Sequence, residues 1–181
     1  KEVIMKNIIS FIVLICSVAV VLTSCSKDKD EESTTDATTT SKTTTTPSGS
    51  ITMGSYTASG VYLSSCFSGS GVSTLVSAGS IPSDAQSFGF AFVVTGDDSF
   101  TEETHVFTDT GCTTSTYISK LLRDNVTVGT ASGANYPVTY NDQGVKLTVN
   151  TTTAETWLET LYANLGRTLD FTVGREMGVY P

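Results

Sequence analysis

Phe88, Phe90, Phe92 and Val94 alternate with smaller residues without a break, and this run constrains the fold more than any other part of the chain. A period of two places side chains on alternate faces of a strand, so the four are expected on one buried face. Gly96-Asp97-Asp98 then supplies turn chemistry, and Ser99 to Asp109 returns as a second strand, which predicts a hairpin. Within that return strand Phe100 and Phe107 have opposite parity, so it either bulges or exposes one ring.

The same period recurs around this hairpin. Tyr56, Ala58, Val61 and Leu63 flank Gly60, where a bend or bulge is expected. Thr116 to Leu122 and Val126 to Val128 read as shorter strands. Tyr136 to Asn141 and Val145 to Val149 are separated by Asp142-Gln143-Gly144, which reads as a turn and predicts a second hairpin. Leu169, Phe171 and Val173 alternate as a further strand, and no closing strand is evident before Pro181, which makes truncation at this end an expectation.

One helix interrupts the strands. Thr152-Thr153-Ala154-Glu155 fits a capping box, and Ala154, Trp157, Leu158, Leu161, Tyr162 and Leu165 recur along one face before Gly166, which is placed to end the helix. Packing against a sheet is the first expectation for that face, with Trp157 and Tyr162 stacking on a sugar or another flat ligand as the alternative. The fold class expected is all-β: an antiparallel barrel or a sandwich with one packed amphipathic helix.

The amino-terminal fifty residues follow other rules. Lys6 precedes an apolar stretch from Ile8 to Leu22, and Thr23-Ser24-Cys25 closes it with two small residues and a thiol. At about 1.5 Å per residue that stretch covers only about 22 Å, short of the roughly 30 Å hydrocarbon core of a bilayer. This arrangement resembles the bacterial lipoprotein signal. The resemblance implies cleavage before Cys25, a lipid on that cysteine, and a mature protein held on its membrane by acyl chains rather than by a helix. By the same resemblance Ser26, rather than an aspartate, directs the protein to the outer membrane of the cell envelope. Met5 reads as the natural start, so residues 1–24 comprise the signal with a short upstream extension. Leu63-Ser64-Ser65-Cys66 looks similar but lacks a preceding charged and apolar segment.

From Ser26 to Ser50 the chain turns to Ser, Thr, Lys, Asp and Glu, including Thr43-Thr44-Thr45-Thr46, with almost no apolar side chain. Such a segment cannot bury a core, and residues 25–50 are expected to be a lipidated, disordered tether. Residues 51–181 remain as one domain. It holds twelve acids against five bases, and a charge of about −7 repels phosphate backbones, which excludes nucleic acid as a partner.

Given the lipoprotein signal, Cys16 leaves with the signal and Cys25 takes the lipid, so Cys66 and Cys112 are the pair left to form a disulfide in an oxidising envelope. A redox or metal role is the alternative, set back by the lack of Cys-x-x-Cys spacing and by a single histidine, His105.

The chain carries few chemical signatures. His105 could be drawn with a serine into a hydrolytic arrangement, but no Gly-x-Ser-x-Gly elbow exists. Asp97, Asp98, Glu102 and Glu103 form an acidic cluster without calcium-loop spacing. Gly69-Ser70-Gly71 reads as a flexible connector. No catalytic residue, metal or cofactor is therefore assigned.

The glycine-aromatic strand leading to Cys66, the Phe88 to Asp109 hairpin, Asp109 followed by Cys112-Thr113, and Tyr136 to Tyr140 before the next strand together resemble the small lipocalin-like bacterial lipoproteins. Gly54-Ser55-Tyr56 stands where that pattern has Gly-x-Trp. The resemblance implies a non-enzymatic envelope protein that binds a small apolar ligand or an envelope component. The alternative from another class is a structural or adhesive surface module that binds a partner protein or a glycan.

Overall fold

The structure, a computed structural model, describes residues 43–133 and 135–179. The expected signal at residues 1–24, the expected lipid site Cys25 and the first part of the expected tether lie outside the described residues. Nine strands and two helices follow in the order β1 (Ser50–Met53), β2 (Tyr56–Ser59), β3 (Val61–Leu63), β4 (Phe67–Ser68), α1 (Ser70–Ser77), β5 (Ser87–Val94), β6 (Phe100–Phe107), β7 (Ser115–Val128), β8 (Val138–Val149), α2 (Thr152–Asn164) and β9 (Glu176–Val179).

The fold is all-β and antiparallel. β1 and β2 form a two-stranded sheet, and the other seven strands form a second sheet in the order β3-β5-β6-β7-β8-β9, with β4 continuing the β3 edge along β5. That path has two ends and does not close into a barrel, so the layered alternative is the one that fits. Gly60, at φ +78°, lets the chain step from the small sheet at Ser59 into the large one at Val61.

The hairpin of β5 and β6 is present, paired continuously from Ser87↔Phe107 to Val94↔Phe100. Its faces are not as the alternation suggests. Ser87, Gly89, Ala91 and Val93 are fully buried, whereas Phe88, Phe90 and Phe92 are half-buried. The phenylalanines pack on one another and on Phe67, Tyr62 and Phe100 in a ladder with ring centroids 4.7 to 6.1 Å apart. Small residues are the buried ones because their face lies under another stretch of chain. Both faces being covered, β6 hides Phe100 on one and Phe107 on the other (5% and 1% exposed), and neither of the two outcomes expected from their parity is needed within β6. The irregularity sits instead in β7, where Thr116 is an extra residue opposite Val106 and Phe107.

The second expected hairpin is absent. Val138–Val149 is one strand paired along β7, and Leu122↔Gly144 is followed by Arg123↔Asp142, which leaves Gln143 as the extra residue of a bulge. Gly144 sits at φ +124°, a conformation that glycine adopts freely, so the turn-like Asp142-Gln143-Gly144 kinks the strand instead of reversing it. Leu169, Phe171 and Val173 also fall outside any strand. Phe171 is buried, with its backbone N–H given to the Glu159 carboxylate of α2 at 3.2 Å, and the edge strand comes later, at Glu176–Val179 on β8.

Among the described residues there are two helices rather than one. Gly69-Ser70-Gly71 opens α1, whose Val72 is buried and whose Val76 packs against the core. The cap of α2 is one residue earlier than its sequence suggests: the Thr151 hydroxyl accepts the Ala154 N–H at 3.2 Å, and Gly166 at φ +76° follows the last turn.

One face of the large sheet thus carries two apolar clusters. At one end Val106, Tyr117, Leu147, Val149 and Val179 pack under Ala154 and Leu158 of α2. At the other, Val94 and Phe100 pack under Ile51 and Ala58 of the small sheet.

Cys66 and Cys112 form a disulfide that ties the β3–β4 edge to the loop after β6. Cys112 sits at φ +54°, held by a loop in which Asp109 accepts the backbone N–H groups of Gly111, Thr113 and Thr114. The bridge spans 46 residues, and closing such a loop is worth about 4 kcal/mol in the chain-entropy model. A Cys66→Ser, Cys112→Ser variant is expected to melt at least about 10 °C lower by calorimetry. An unchanged melting temperature would remove the staple from this account.

Candidate functional site

The opposite face of the large sheet carries polar residues where a core would carry apolar ones. Pairing puts Thr101, Glu103, His105 and Phe107 of β6 beside Val93, Ala91, Gly89 and Ser87 of β5, all on this face. Glu103 and His105 are 1% and 2% exposed. The His105 Nε2–H donates to Glu103 Oε2 at 2.6 Å, and the imidazole lies nearly parallel to the Phe107 ring. Two residues apart on a strand means the same face, so Glu103-Thr104-His105 already held this pair. Grouping Glu103 with Asp97, Asp98 and Glu102 as an acidic cluster conceals that pairing.

The carboxylate has two further partners. The Thr44 N–H donates to Glu103 Oε2 at 3.1 Å and the Thr45 hydroxyl donates to Glu103 Oε1. From there the chain reaches the end of β5, where Ser48 gives its N–H to the Val94 carbonyl at 2.9 Å and Ser50 gives its own to Asp97 at 3.0 Å. The last eight residues of the segment expected to be a disordered tether, residues 43–50, are therefore part of the fold. Their threonines serve as donors to a buried acid.

Burial alone pushes the Glu103 carboxyl up. The hydrogen bonds from His105, Thr45 and Thr44 outweigh it and hold the group down at about 2. Farther along this face Lys120 and Lys146 both pair with Glu176, at 2.8 and 3.1 Å, and so hold β9 onto the sheet.

The acidic cluster Asp97, Asp98, Glu102 and Glu103 does not converge. Strand alternation sends Glu103 to one face and Glu102 to the other, where Glu102 and Asp142 flank Arg123, and Asp97 receives the Ser50 amide. Among the described residues no three His, Cys, Asp or Glu side chains gather as a metal site. His105 is bonded to Glu103 rather than to a serine, at an exposure that admits no substrate.

A second polar node sits below the helices. The hydroxyls of Thr116 and Thr151 donate to the Asp84 carboxylate at 2.9 and 2.7 Å, joining the loop before β5, the bulge of β7 and the cap of α2. Sequence separations of 32 and 67 residues leave no local signal for it.

Beside that node an open groove of about 520 Å³ runs between α2 and the segment after α1. Val76, Ile81 and Trp157 supply its apolar part. Trp157 is fixed there by its indole N–H to the Gly79 carbonyl at 2.9 Å and by an edge contact with Tyr117 at 5.5 Å. Tyr162, the other aromatic considered for stacking, packs on Phe171 and is not part of this groove. No family model matches the chain, and no curated protein or solved structure matches it.

Removing the Glu103 carboxylate leaves the His105 and Thr44 N–H groups without their acceptor, and Glu103→Ala is expected to cost about 3 kcal/mol in urea or thermal unfolding. Because the folded carboxyl titrates near 2 against an ordinary 4.5, its contribution is complete above pH 4.5 and is lost as the pH falls towards 2. Asp109, held at about 2 by the Thr114, Thr113 and Gly111 amides against its desolvation, titrates in the same window. The difference between wild-type and Glu103→Gln stability across that window isolates the Glu103 share. A pH-independent difference would mean the clasp is absent.

Proposed function

We propose that this chain is a lipid-anchored envelope module, non-catalytic, which presents a solid layered β-domain to a partner outside its own fold. The observation that carries this reading is that both faces of the large sheet are covered around the β5–β6 hairpin. One face is occupied by α2 and the small sheet, and the other takes residues 43–48 onto Glu103. Carriage of a small apolar ligand, the other reading of the sequence, needs an enclosed apolar cavity of roughly 300 Å³ or more. The open sheet has no barrel lumen to supply one.

The absence of catalysis in this reading rests on access. The one histidine and its carboxylate partner are sealed, Asp97 accepts the Ser50 amide, and Glu102 pairs with Arg123. Anchoring rests on the lipoprotein-like signal ending at Cys25. A lipid at Cys25 is the means of attachment proposed.

Two measurements on the full chain expressed in a bacterial host test the proposal. An alkyne analogue of palmitate should label the wild type and not Cys25→Ser, and the variant should leave the membrane fraction. A native mass spectrum of the wild type released from detergent should show the lipidated mass with no further bound molecule. Unlabelled protein that stays in the membrane fraction would refute the anchor, and a co-purified apolar molecule would restore ligand carriage.

A further inference from the structure

We infer that the groove along α2 is a binding site for a neutral saccharide, with the Trp157 indole as the platform for one sugar ring. This deepens the surface-module reading above and rests on it for its biological setting, while the site itself is argued from the lining chemistry.

None of the residues that line the groove is ionisable. In a chain of net charge −8 that neutrality is local and has identifiable causes. Asp84, next to the lining residue Ser83, is consumed by the Thr116 and Thr151 hydroxyls. Glu159 of α2 turns to the Phe171 amide. An anionic ligand would meet no base here and the field of an acidic protein, and a cation would meet no carboxylate.

What the groove offers is hydroxyls beside an apolar surface. Thr153, Thr156 and Thr160 stand at positions i, i+3 and i+7 of α2, so they line one side of the helix over about 10 Å, enough for two or three sugar rings. Thr160 donates to the Thr156 carbonyl at 2.8 Å, whereas the hydroxyls of Ser83, Thr153 and Thr156 make no hydrogen bond among the described residues. A row of uncommitted hydroxyls can both donate and accept, as sugar hydroxyls do. Trp157 is locked by Gly79 and Tyr117, so its ring is held in place before any ligand arrives.

The openness of the groove favours the same class. An acyl chain in it would leave much of its surface in water, whereas a saccharide puts one C–H face on the indole and keeps its outer hydroxyls solvated.

Trp157 is the only tryptophan in the chain, so its emission reports on this groove alone. The full chain in detergent would be titrated with cellotriose, maltotriose, mannotriose and triacetylchitotriose, with oligogalacturonate, palmitate and a neutral octapeptide as the other arms. At least one neutral saccharide is expected to blue-shift the emission and protect it from acrylamide, with a Kd of about 0.1 to 1 mM. Thr156→Arg, a change at an exposed position, should weaken binding at least tenfold at an unchanged melting temperature. Response only to the anionic, acyl or peptide probe, response of none of the saccharides, or full binding by Thr156→Arg would each overturn the inference. A chain that is labelled by palmitate yet fails every saccharide arm would leave the anchored-module reading standing without this site.

Discussion

A carboxylate in the middle of a β-sheet must have its lone pairs satisfied or be protonated, and Glu103 determines much of how this domain is built. Of its neighbours across the sheet, Ala91 has no side-chain donor and Lys120 is drawn instead to Glu176. The donors come from two other places: His105, two residues on along the same strand, and the Thr44–Thr45 pair, 59 and 58 residues away. The second source brings residues 43–48 over the sheet. That part of the face is then covered by a short segment, beneath which β5 presents small residues.

That arrangement explains where the sequence was legible and where it was not. The β5–β6 hairpin was legible because its strands, turn and pairing partners are contiguous, and α2 was legible because its stripe and stop are local. The buried side of β5 was misread because alternation identifies two faces but not which one is covered more deeply. Large aromatics on one face and Ser, Gly and Ala on the other usually mean core and solvent. Here residues 43–48 reach Glu103 and the Val94 end of that face while the Asp109–Cys112 loop meets Ser87 at the other, and no feature of the hairpin's own sequence announces a segment forty residues upstream.

The two bulges raise a different difficulty. Asp142-Gln143-Gly144 has the composition of a turn, and composition states only that the backbone leaves the regular β conformation there. Whether the chain then reverses or continues depends on what the flanking residues can pair with. β7 is long enough to accept both halves of β8, from Thr127↔Thr139 to Tyr117↔Val149, so continuation forms more ladder than a hairpin would. The same long-range pairing makes Thr116 an extra residue in β7, which sets its hydroxyl on Asp84 and so fixes the cap of α2. The groove thus depends on a bulge that local sequence does not show. Its one indole, in contrast, is visible in the sequence, where Trp157 stands as a candidate stacking residue.

The acidity of the domain has a structural meaning that a count of charges conceals. With few bases and many Ser and Thr residues, this fold has few cationic partners, and its carboxylates are used mainly as acceptors. Asp109 gathers three loop amides behind Cys112, Asp97 takes the amide that opens β1, Glu159 takes that of Phe171, and Asp84 joins two hydroxyls beneath a helix cap. Arg123, 7% exposed, is compensated by Glu102 and Asp142 and lies over the Tyr140 ring. Charge spent in this way is not displayed to a ligand as a patch. Asp84 and Glu159 beside α2 are already occupied, and so a chain of strongly negative net charge offers there a groove lined only by hydroxyls, aliphatic side chains and one indole.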